Sequence, residues 1–306
     1  MMTFTEDLPA GFHAETNPPF LVERPAQQRV PFVFNSPHSG DYYPPNFLAA
    51  SRLSALDLRR SEDLAVDRLF SGVVALGAPL LRARFPRAWL DVNREPYELD
   101  PKLFRERLPG HANVHSLRVG GGLGTIPRLI SENLPIYENP PTLDQGLERV
   151  NAVYRPYHDA LRRMMAQTAV EFGFAVLVDC HSMPSAQPVQ NHANRASRPD
   201  IIVGDRYGTA CNGEISRQIM QGFSDLGYSV VRNKPYAGGF ITEHYGRPAK
   251  GLHAVQIEIN RALYMNERDL ELTDGFPALC GDIDKVMAQL IAIPDAELPA
   301  QRLAAE

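Results

Sequence analysis

Four short polar clusters in the sequence carry residue types that could do chemistry. Together they supply two histidines, several carboxylates and an arginine, and each follows a short apolar run. His38 and His181 come directly after two of these runs, in VFNSPHSG and VLVDCHS. Imidazole and carboxylate are ligands of catalytic zinc, which usually takes three ligands from the protein and leaves its fourth position to water. The clusters therefore point to a metal site or to acid–base chemistry.

A third metal ligand has several candidates. Asp41 stands three residues after His38, whereas Asp63 and Asp67 lie four apart in SEDLAVDRLF. That second spacing places both carboxylates on one face of a predicted helix. Spacing alone does not choose among the three. The sequence contains no HExxH motif and no paired-cysteine motif, so neither a helix-borne nor a thiolate zinc site is indicated.

The remaining clusters add a possible base and an arginine. Glu258 lies in QIEIN, between two isoleucines, so its carboxylate faces the side of a strand opposite to theirs. A general base and an end-of-strand ion pair with Arg261 or Lys250 both fit this position. Asn93 and Arg94 follow the run AWLDV.

The elements that must position these residues alternate between strand and helix. Short apolar runs rich in β-branched and aromatic residues predict strands, and apolar residues at helical spacing predict helices. Pro156 is expected to kink or split one of the helices. Predicted strands cover 30–36, 78–85, 88–94, 174–182, 200–205, 228–233 and 253–260, predicted helices cover 53–73, 143–172, 208–227 and 276–293, and predicted irregular segments cover 95–142 and the glycine-rich 236–248.

This order predicts one α/β domain over residues 1–306, with a mostly parallel or mixed central sheet. Ligands of such sheets bind outside the carboxyl ends of the strands, so we expect the four polar clusters to converge on one crevice. Irregular chain as long as residues 95–142 is usually functional or mobile inside a compact domain, and we expect it to border the active site.

The composition excludes several classes of function. The net charge is -5 with acidic and basic residues interspersed, so we expect neither nucleic acid nor a membrane surface as a partner. Apolar runs stay well short of the ~18 residues that span a bilayer, and we expect a cytoplasmic chain. The 3 cysteines are far apart, which argues against a disulfide framework. The absence of a GxSxG motif argues against a Ser-His-Asp hydrolase.

An ordered set of motifs resembles the N-formylglutamate amidohydrolase family. The set runs from NSPHSGDYYP and SEDLAVDRLF through AWLDVNREPYELDP and VDCHSMPS to NKPYAGGFITEHYGRPAKGLHAVQIEINRALYM. The resemblance implies a three-layer α/β/α sandwich on a mixed sheet, similar to that of the zinc carboxypeptidases. It also implies hydrolysis of N-formyl-L-glutamate to formate and L-glutamate, as in the last step of histidine degradation, by a monomer or small homo-oligomer.

The resemblance also implies a site. It places one Zn²⁺ ion on His38, Asp63 and His181, and prefers Asp63 to Asp41 because the acidic stretch, unlike position 41, belongs to the family pattern. Glu258 is implied as the general base. A zinc deacylase or carboxypeptidase-like hydrolase for another N-acyl amino acid would use the same residues, and so would a metal-free binding protein that kept the crevice.

A small dicarboxylate substrate calls for guanidinium groups that bind carboxylates in pairs of hydrogen bonds. The resemblance implies that Arg94, with Asn93, holds a substrate carboxylate at the reaction centre. Other candidates for contact with the substrate are Arg128, Ser182, His244, Tyr245, Arg247 and His253.

Overall fold

The computed structural model describes residues 8–13, 17–130, 134–185 and 199–292. Their strands are β1 (Phe20–Glu23), β2 (Phe32–Ser36), β3 (Leu80–Ala83), β4 (Ala175–Met183), β5 (Ile201–Gly204), β6 (Val230–Arg232), β7 (Leu252–Asn260), β8 (Met265–Asn266) and β9 (Glu271–Leu272). Their α-helices are α1 (Pro45–Ala50), α2 (Ala55–Arg59), α3 (Val66–Leu69), α4 (Leu117–Gly120), α5 (Leu143–Arg149), α6 (Arg155–Phe172), α7 (Gly213–Asp225), α8 (Phe240–Tyr245) and α9 (Gly275–Ile291).

A mixed sheet of seven strands, in the order β1-β3-β2-β4-β7-β5-β6, confirms the predicted α/β class. β2, β4 and β7 run parallel to one another, whereas β5 is antiparallel to β7 and parallel to β6. The register pairs Asn35 with Asp179 and His181 with Glu258. Three of the four predicted polar clusters thus follow or end strands of this sheet.

The chain divides into two compact units, each made of three separate stretches. The first contains 1–22, 37–64 and 81–163, and the second contains 23–36, 65–80 and 164–306. The prediction of one domain over residues 1–306 stays a prediction.

In the second unit, helices cover both faces of the strands. α3 contacts β2 and β4, and the ring of Phe70, just after α3, lies 6.4 Å from that of Phe34 on β2. α9 packs against α3 and α7. α8 contacts β4 and β7 on the other face, where Asn35, Asp179 and Gln256 point. β4 is buried along its whole length, as expected for a continuous apolar run covered on both sides.

The predicted helix over residues 53–73 is wrong in part, because the chain breaks it into α2, α3 and a 3₁₀ turn. Ala65 adopts a left-handed conformation with φ 56°, which interrupts the helix. Asp63 lies in the turn before Ala65, where its backbone N–H donates to the carbonyl of His38 (3.0 Å). The prediction that Asp63 and Asp67 share one helix face is therefore wrong.

Two other predicted elements differ from the structure. Residues 88–94 form turns rather than a strand, and the Asp91 backbone N–H donates to the carbonyl of Thr125 (2.8 Å). The predicted irregular segment 236–248 contains α8. In the described part of 95–142, the regular structure consists of α4 and isolated bridges, which agrees with the prediction.

The predicted helix over 143–172 is interrupted as expected next to Pro156. A π-helical turn, Val150–Tyr154, separates α5 from α6. Proline has no N–H to donate to the carbonyl four residues earlier, which favours such an irregular turn just before it.

Two predictions from composition can be compared with the structure. No α-helix in the described ranges is both long and apolar enough to cross a membrane. Cys180, Cys211 and Cys280 all carry free thiols.

Candidate metal centre and active site

His38 lies two residues beyond the end of β2 and is held by two buried carboxylates. Its Nε2 lies 2.8 Å from Asp91 Oδ1, and its Nδ1 lies 3.5 Å from Asp63 Oδ2. Because Asp91 accepts a hydrogen bond from Nε2–H, the neutral tautomer carries its lone pair on Nδ1. The ring nitrogen that faces Asp63 is therefore the one suited to bind a metal ion.

Asp91 remains ionised in this buried position. Burial alone would raise the pKa of Asp91, but the charges of Arg94, His38 and Arg87 outweigh burial and hold that pKa well below its ordinary value. Arg87 Nη2 lies 2.9 Å from Asp91 Oδ2, and the backbone N–H of Asn93 donates to Oδ1 (2.9 Å). A carboxylate that orients a histidine in this way fixes both the ring and its tautomer.

The continuous helical stretch formed by α5, the π turn and α6 holds the loop that carries Asp91, Asn93 and Arg94. Three of its side chains donate hydrogen bonds to backbone carbonyls of the loop. Arg149 donates to the carbonyl of Trp89 (3.0 Å), Tyr154 donates to the carbonyl of Arg94 (2.6 Å), and His158 Nε2 lies 2.9 Å from the carbonyl of Val92. Positions 149 and 154 are five apart, which an α-helix turns through about 500°. The intervening π turn, with its i→i+5 hydrogen bonds, brings these two positions towards one face.

The turn that carries Asp63 is fixed by its buried neighbour Glu62. The hydroxyl of Tyr43 donates to Glu62 Oε1 (2.7 Å), and Arg59 Nε lies 3.2 Å from the same carboxylate. Burial raises the pKa of Glu62, while Tyr43 and Arg59 oppose that rise. Asp41, the rival third ligand, is exposed to solvent.

His181 lies on β4 and repeats the arrangement seen at His38. Its Nε2 lies 2.8 Å from Asp179 Oδ2, and the other oxygen of Asp179 accepts a hydrogen bond from Asn35 Nδ2 (2.7 Å). All three side chains are buried. Each candidate histidine therefore has a buried carboxylate on Nε2.

Glu258 on β7 is the register partner of His181 on β4. Paired residues on parallel strands point to the same face, and neighbouring strands lie roughly 4.8 Å apart. Gln256, two residues earlier on the same face, donates from Nε2 to Glu258 Oε1 (2.8 Å). The orientation of the Gln256 amide is fixed, because its Oε1 accepts a hydrogen bond from the backbone N–H of Gly239 (2.8 Å) and a flipped amide would lose both bonds. Glu258 is thus a buried carboxylate beside His181, aligned by a fixed amide donor.

His38, Asp63 and His181 form a buried group whose ligand atoms all lie within 4.8 Å of one another. Two zinc ligands at ~2.0–2.1 Å and a tetrahedral angle lie roughly 3.3 Å apart. The 3.5 Å between His38 Nδ1 and Asp63 Oδ2 is close to that separation. Two imidazoles and one carboxylate, with each imidazole oriented by a further carboxylate, suit a divalent metal ion.

Arg94 and Arg128 lie in different surroundings. Arg94 is buried and donates from Nη1 to the carbonyl of Asn93 (2.7 Å) and from Nε to the carbonyl of Leu123 (3.0 Å). Arg128 donates from Nε to the buried carboxylate of Asp100 (2.7 Å). The charge of Arg128 is therefore already compensated within the protein.

Two of the predicted contact residues lie on the other face of the sheet from Glu258. Ser182 follows His181 and so points to the opposite face, where its hydroxyl accepts from Arg261 Nε (3.1 Å). His253 also lies opposite to Glu258 and roughly 16 Å along β7 at ~3.3 Å per residue. Burial lowers the pKa of His253. The structure does not bring these two side chains to His181.

The other predicted contact residues lie in or just after α8. His244 is exposed and stacks on Phe240 with 5.0 Å between ring centroids. Tyr245 is buried beside His244, and Arg247 is exposed. Their predicted contact with substrate stays a prediction.

Sequence reasoning missed roles for Asp91, Asp179 and Gln256. The spacing of Asp179 and His181, two apart on a strand, places both on one face and could have indicated their contact. The same holds for Gln256 and Glu258. Asp91 gave no comparable signal, because its contact with His38 spans 53 residues.

An α/β fold on a mixed sheet, with a buried His–Asp–His group and a buried glutamate beside it, defines a protein equipped for metal-assisted hydrolysis. The chain belongs to the N-formylglutamate amidohydrolase family, whose model matches residues 30–265. It is 30% identical over 249 residues to an N-formylglutamate deformylase of Pseudomonas putida, covering 79% of this chain and 85% of that one. A second N-formylglutamate deformylase, from Pseudomonas aeruginosa, is 30% identical and covers 78% of this chain and 84% of its own.

Solved structures agree with this assignment. The crystal structure of N-formylglutamate amidohydrolase from Ralstonia eutropha superposes with a TM-score of 0.82 at 32% identity, covering 89% of this chain and 98% of that one. A protein from Agrobacterium tumefaciens shares the fold, with a TM-score of 0.65 at 22% identity and a coverage of 92% of this chain and 98% of its own.

Proposed function

We propose that this chain is a metal-dependent amidohydrolase that converts N-formyl-L-glutamate and water into formate and L-glutamate. The names of its relatives support the substrate. The observation that carries the proposal is the pairing of His181, a member of the candidate metal group, with Glu258 on the next strand. We also propose that the enzyme is cytoplasmic and that it catalyses the last step of histidine degradation.

His38, Asp63 and His181 would hold the ion, which we propose to be Zn²⁺. When bound, such an ion polarises the carbonyl of the formyl group and lowers the pKa of a water molecule from ~15.7 towards ~7. Asp91 and Asp179 orient the two imidazoles and leave each Nδ1 free to bind the ion, because each carboxylate accepts a hydrogen bond from Nε2–H.

Glu258 would act as general base and then as general acid. Its carboxylate accepts a proton from the attacking water as the water oxygen bonds to the formyl carbon. It then gives that proton to the α-nitrogen as the carbon–nitrogen bond breaks, which yields formic acid and the amine. The proton of the acid passes to the amine, so the products are formate and L-glutamate with its α-ammonium group. Proton transfer of this kind typically contributes ~10²- to 10⁴-fold. Gln256 supports the role by holding one oxygen of the carboxylate in place.

Arg94 and Asn93 would position the substrate through one of its carboxylates. Arg94 is held rigidly, since its backbone carbonyl accepts from Tyr154 and its side chain donates to two backbone carbonyls. A preordered guanidinium loses little conformational entropy when it binds a carboxylate, which favours both affinity and alignment.

The test combines metal analysis with a formate-release assay. We expect the purified protein to carry about one equivalent of a divalent ion per chain, a fully occupied site, and to lose activity on chelation. His181→Ala is expected to lose the ion, whereas Glu258→Gln keeps it and loses ~10²- to 10⁴-fold in kcat. The exposed His115 and Glu271 provide matched controls, as His115→Ala and Glu271→Gln.

Three outcomes would contradict the proposal. The first is activity that survives complete removal of the ion. The second is near-wild-type turnover by Glu258→Gln. The third is a preference for N-acetyl amino acids or peptides over N-formylglutamate in a substrate panel, which would indicate a different deacylase.

A further inference from the structure

Gly204 ends β5 beside Gln256, and the segment that carries Gly239 lies directly against it. The register pairs Gly204 with Gln256 across antiparallel strands, so both positions face the same side of the sheet. A Cβ at Gly204 would stand 2.8 Å from the carbonyl carbon of Ala237 and 2.8 Å from the backbone nitrogen of Gly238. Side chains do not approach a backbone that closely, so glycine is the residue that lets this segment reach the sheet.

Hydrogen bonds tie the same segment, residues 233–239, to the chain that follows β5. The backbone N–H of Arg206 donates to the carbonyl of Ala237 (2.8 Å). Asn233 Nδ2 donates to Asp205 Oδ1 (2.8 Å), and Asn233 Oδ1 accepts from the backbone N–H of Asp205 (3.0 Å). The loop 233–239 is thus held at its start and again close to its end.

The end of this loop contacts the support of the proposed general base. The backbone N–H of Gly239 donates to Gln256 Oε1 (2.8 Å), and Gln256 Nε2 donates to Glu258 Oε1 (2.8 Å). A side-chain amide has an acceptor oxygen on one side and a donor nitrogen on the other, so a donor at Gly239 selects the orientation that turns the nitrogen to Glu258. The position of the loop 233–239 therefore sets the orientation of Gln256.

We propose that Gly204 is a positioning residue for the general base. By leaving room for the loop 233–239, Gly204 keeps the Gly239 N–H on Gln256, and Gln256 aligns Glu258. This inference rests on the proposed function, because that function makes Glu258 the base. Gly204 acts through the loop and Gln256, and one added methyl group at position 204 is enough to break the arrangement.

Hydrogen exchange of the Gly239 amide tests the arrangement without any reaction. Gly204→Ala displaces the loop from β5, so we expect the Gly239 N–H to exchange roughly 10-fold faster or more, measured by NMR with isotope-labelled glycine. The amide of Gly222, inside α7, should keep its wild-type rate. Gly281→Ala is the matched control, because no atom lies within 4 Å of a Cβ at that position of α9, and it should leave the Gly239 rate unchanged.

Formate release measures the consequence for catalysis. We expect Gly204→Ala to lower kcat roughly 10- to 100-fold and to leave KM within about twofold, because alignment of the base affects the chemical step and not binding. In a Gln256→Leu background, which lacks the acceptor for the Gly239 N–H, Gly204→Ala should cause no further loss of kcat. Gly72→Ala controls for steric overlap as such, since its Cβ would stand 2.0 Å from Asp284 Oδ1 on α9, and it should leave kcat unchanged.

Asn233→Gly is a second variant that releases the loop without steric overlap. Asn233 has φ 64°, which glycine adopts without strain, so the change removes the two bonds to Asp205 and adds no atoms. We expect faster exchange at Gly239 and a kcat roughly 3- to 10-fold lower, again with little change in KM. This variant decides the question if Gly204→Ala does not fold.

The outcomes separate this inference from the proposed function. Wild-type exchange at Gly239 in the folded variants, or faster exchange with an unchanged kcat, would overturn the inference while N-formylglutamate hydrolysis by the wild type still stands. An equal loss of kcat from Gly204→Ala with and without Gln256 would also overturn it. Protection of Gly239 that depends on Gly204, in a protein that does not hydrolyse N-formylglutamate, would support the alignment of Glu258 and refute the proposed reaction.

Discussion

Replacing Gln256 by leucine removes two buried hydrogen bonds at the carboxyl end of β7. One is the 2.8 Å bond from its amide to Glu258, and the other is the 2.8 Å bond that it accepts from the backbone of Gly239. Leucine has a similar volume but offers neither a donor nor an acceptor. The variant therefore separates the alignment of Glu258 from the simple filling of space.

The magnitude follows from the two contacts. A hydrogen bond to a charged group contributes roughly 1.5–3 kcal/mol. If the Gln256 bond is what keeps Glu258 aligned, its loss lowers kcat roughly 10- to 150-fold at ~1.36 kcal/mol per tenfold. The buried N–H of Gly239, left without an acceptor, lowers the free energy of unfolding by a further ~1–3 kcal/mol.

The assay is steady-state formate release on metal-loaded protein, combined with urea unfolding. A double-mutant cycle with Glu258→Gln isolates the pair, and we expect Gln256→Leu to have no further effect on kcat in that background. Gln218 bonds to Glu214 at 2.8 Å on α7, so Gln218→Leu removes the same type of bond outside the site and should leave kcat unchanged.

An equal loss of kcat with and without Glu258 would show that Gln256 does not act through that carboxylate. A loss of stability with full kcat would show that Gln256 only supports the fold.

Three other variants test the supports of the site and the fold. Tyr154→Phe removes the hydrogen bond to the Arg94 carbonyl, and we expect KM to rise up to roughly tenfold with little change in kcat, measured by initial rates. Asp179→Asn is expected to weaken metal binding by ~10- to 100-fold, measured by competition with a chelator, because the candidate metal ligand His181 loses the carboxylate on its Nε2. Burial would raise the pKa of Asp205, but hydrogen bonds from Arg232, Ser216 and Asn233 lower that pKa. Ionised Asp205 therefore stabilises the fold at pH values above the unfolded-state pKa of ~3.9. This stabilisation is lost as the pH falls through the lower pKa of the folded state. Asp205→Asn should therefore lower the urea midpoint at pH 7 and have a diminishing effect as the pH falls below 4.

Each of these expectations has a contrary result. Unchanged KM in Tyr154→Phe, with lower stability, would make the tyrosine a purely structural support; the exposed Tyr207 serves as control. Unchanged metal affinity in Asp179→Asn would remove that carboxylate from the site. An Asp205→Asn effect that is constant from pH 7 to strong acid would show that its ionised form does not carry the stabilisation.

The central strands and the two histidines could be predicted from the sequence for a simple physical reason. β2, β4 and β7 are apolar runs that end abruptly in polar residues, and parallel strands bring such ends to one edge of a sheet. His38 and His181 follow from that pattern alone. The alternation of side chains could also have predicted that Ser182 faces away from His181 and that His253 faces away from Glu258.

Other features depend on contacts that no local pattern encodes. The left-handed Ala65 breaks a stretch with helical periodicity, and a non-glycine residue at positive φ has no sequence signature. The apolar start of 88–94 resembles a strand, yet the segment forms turns that side chains of a distant helix hold in place. The fixed orientation of Gln256 depends on Gly239, which lies 17 residues away in the chain.

The carboxylates on the two histidines have a consequence for how the enzyme matures. Asp91 and Asp179 set the ring positions and tautomers through contacts made by the polypeptide alone. We therefore expect formation of the tertiary structure and capture of the ion to be separable events, unlike in small zinc domains that stay unfolded until they are loaded. An apoprotein preorganised in this way is expected to regain activity when the ion is added back, without a refolding step.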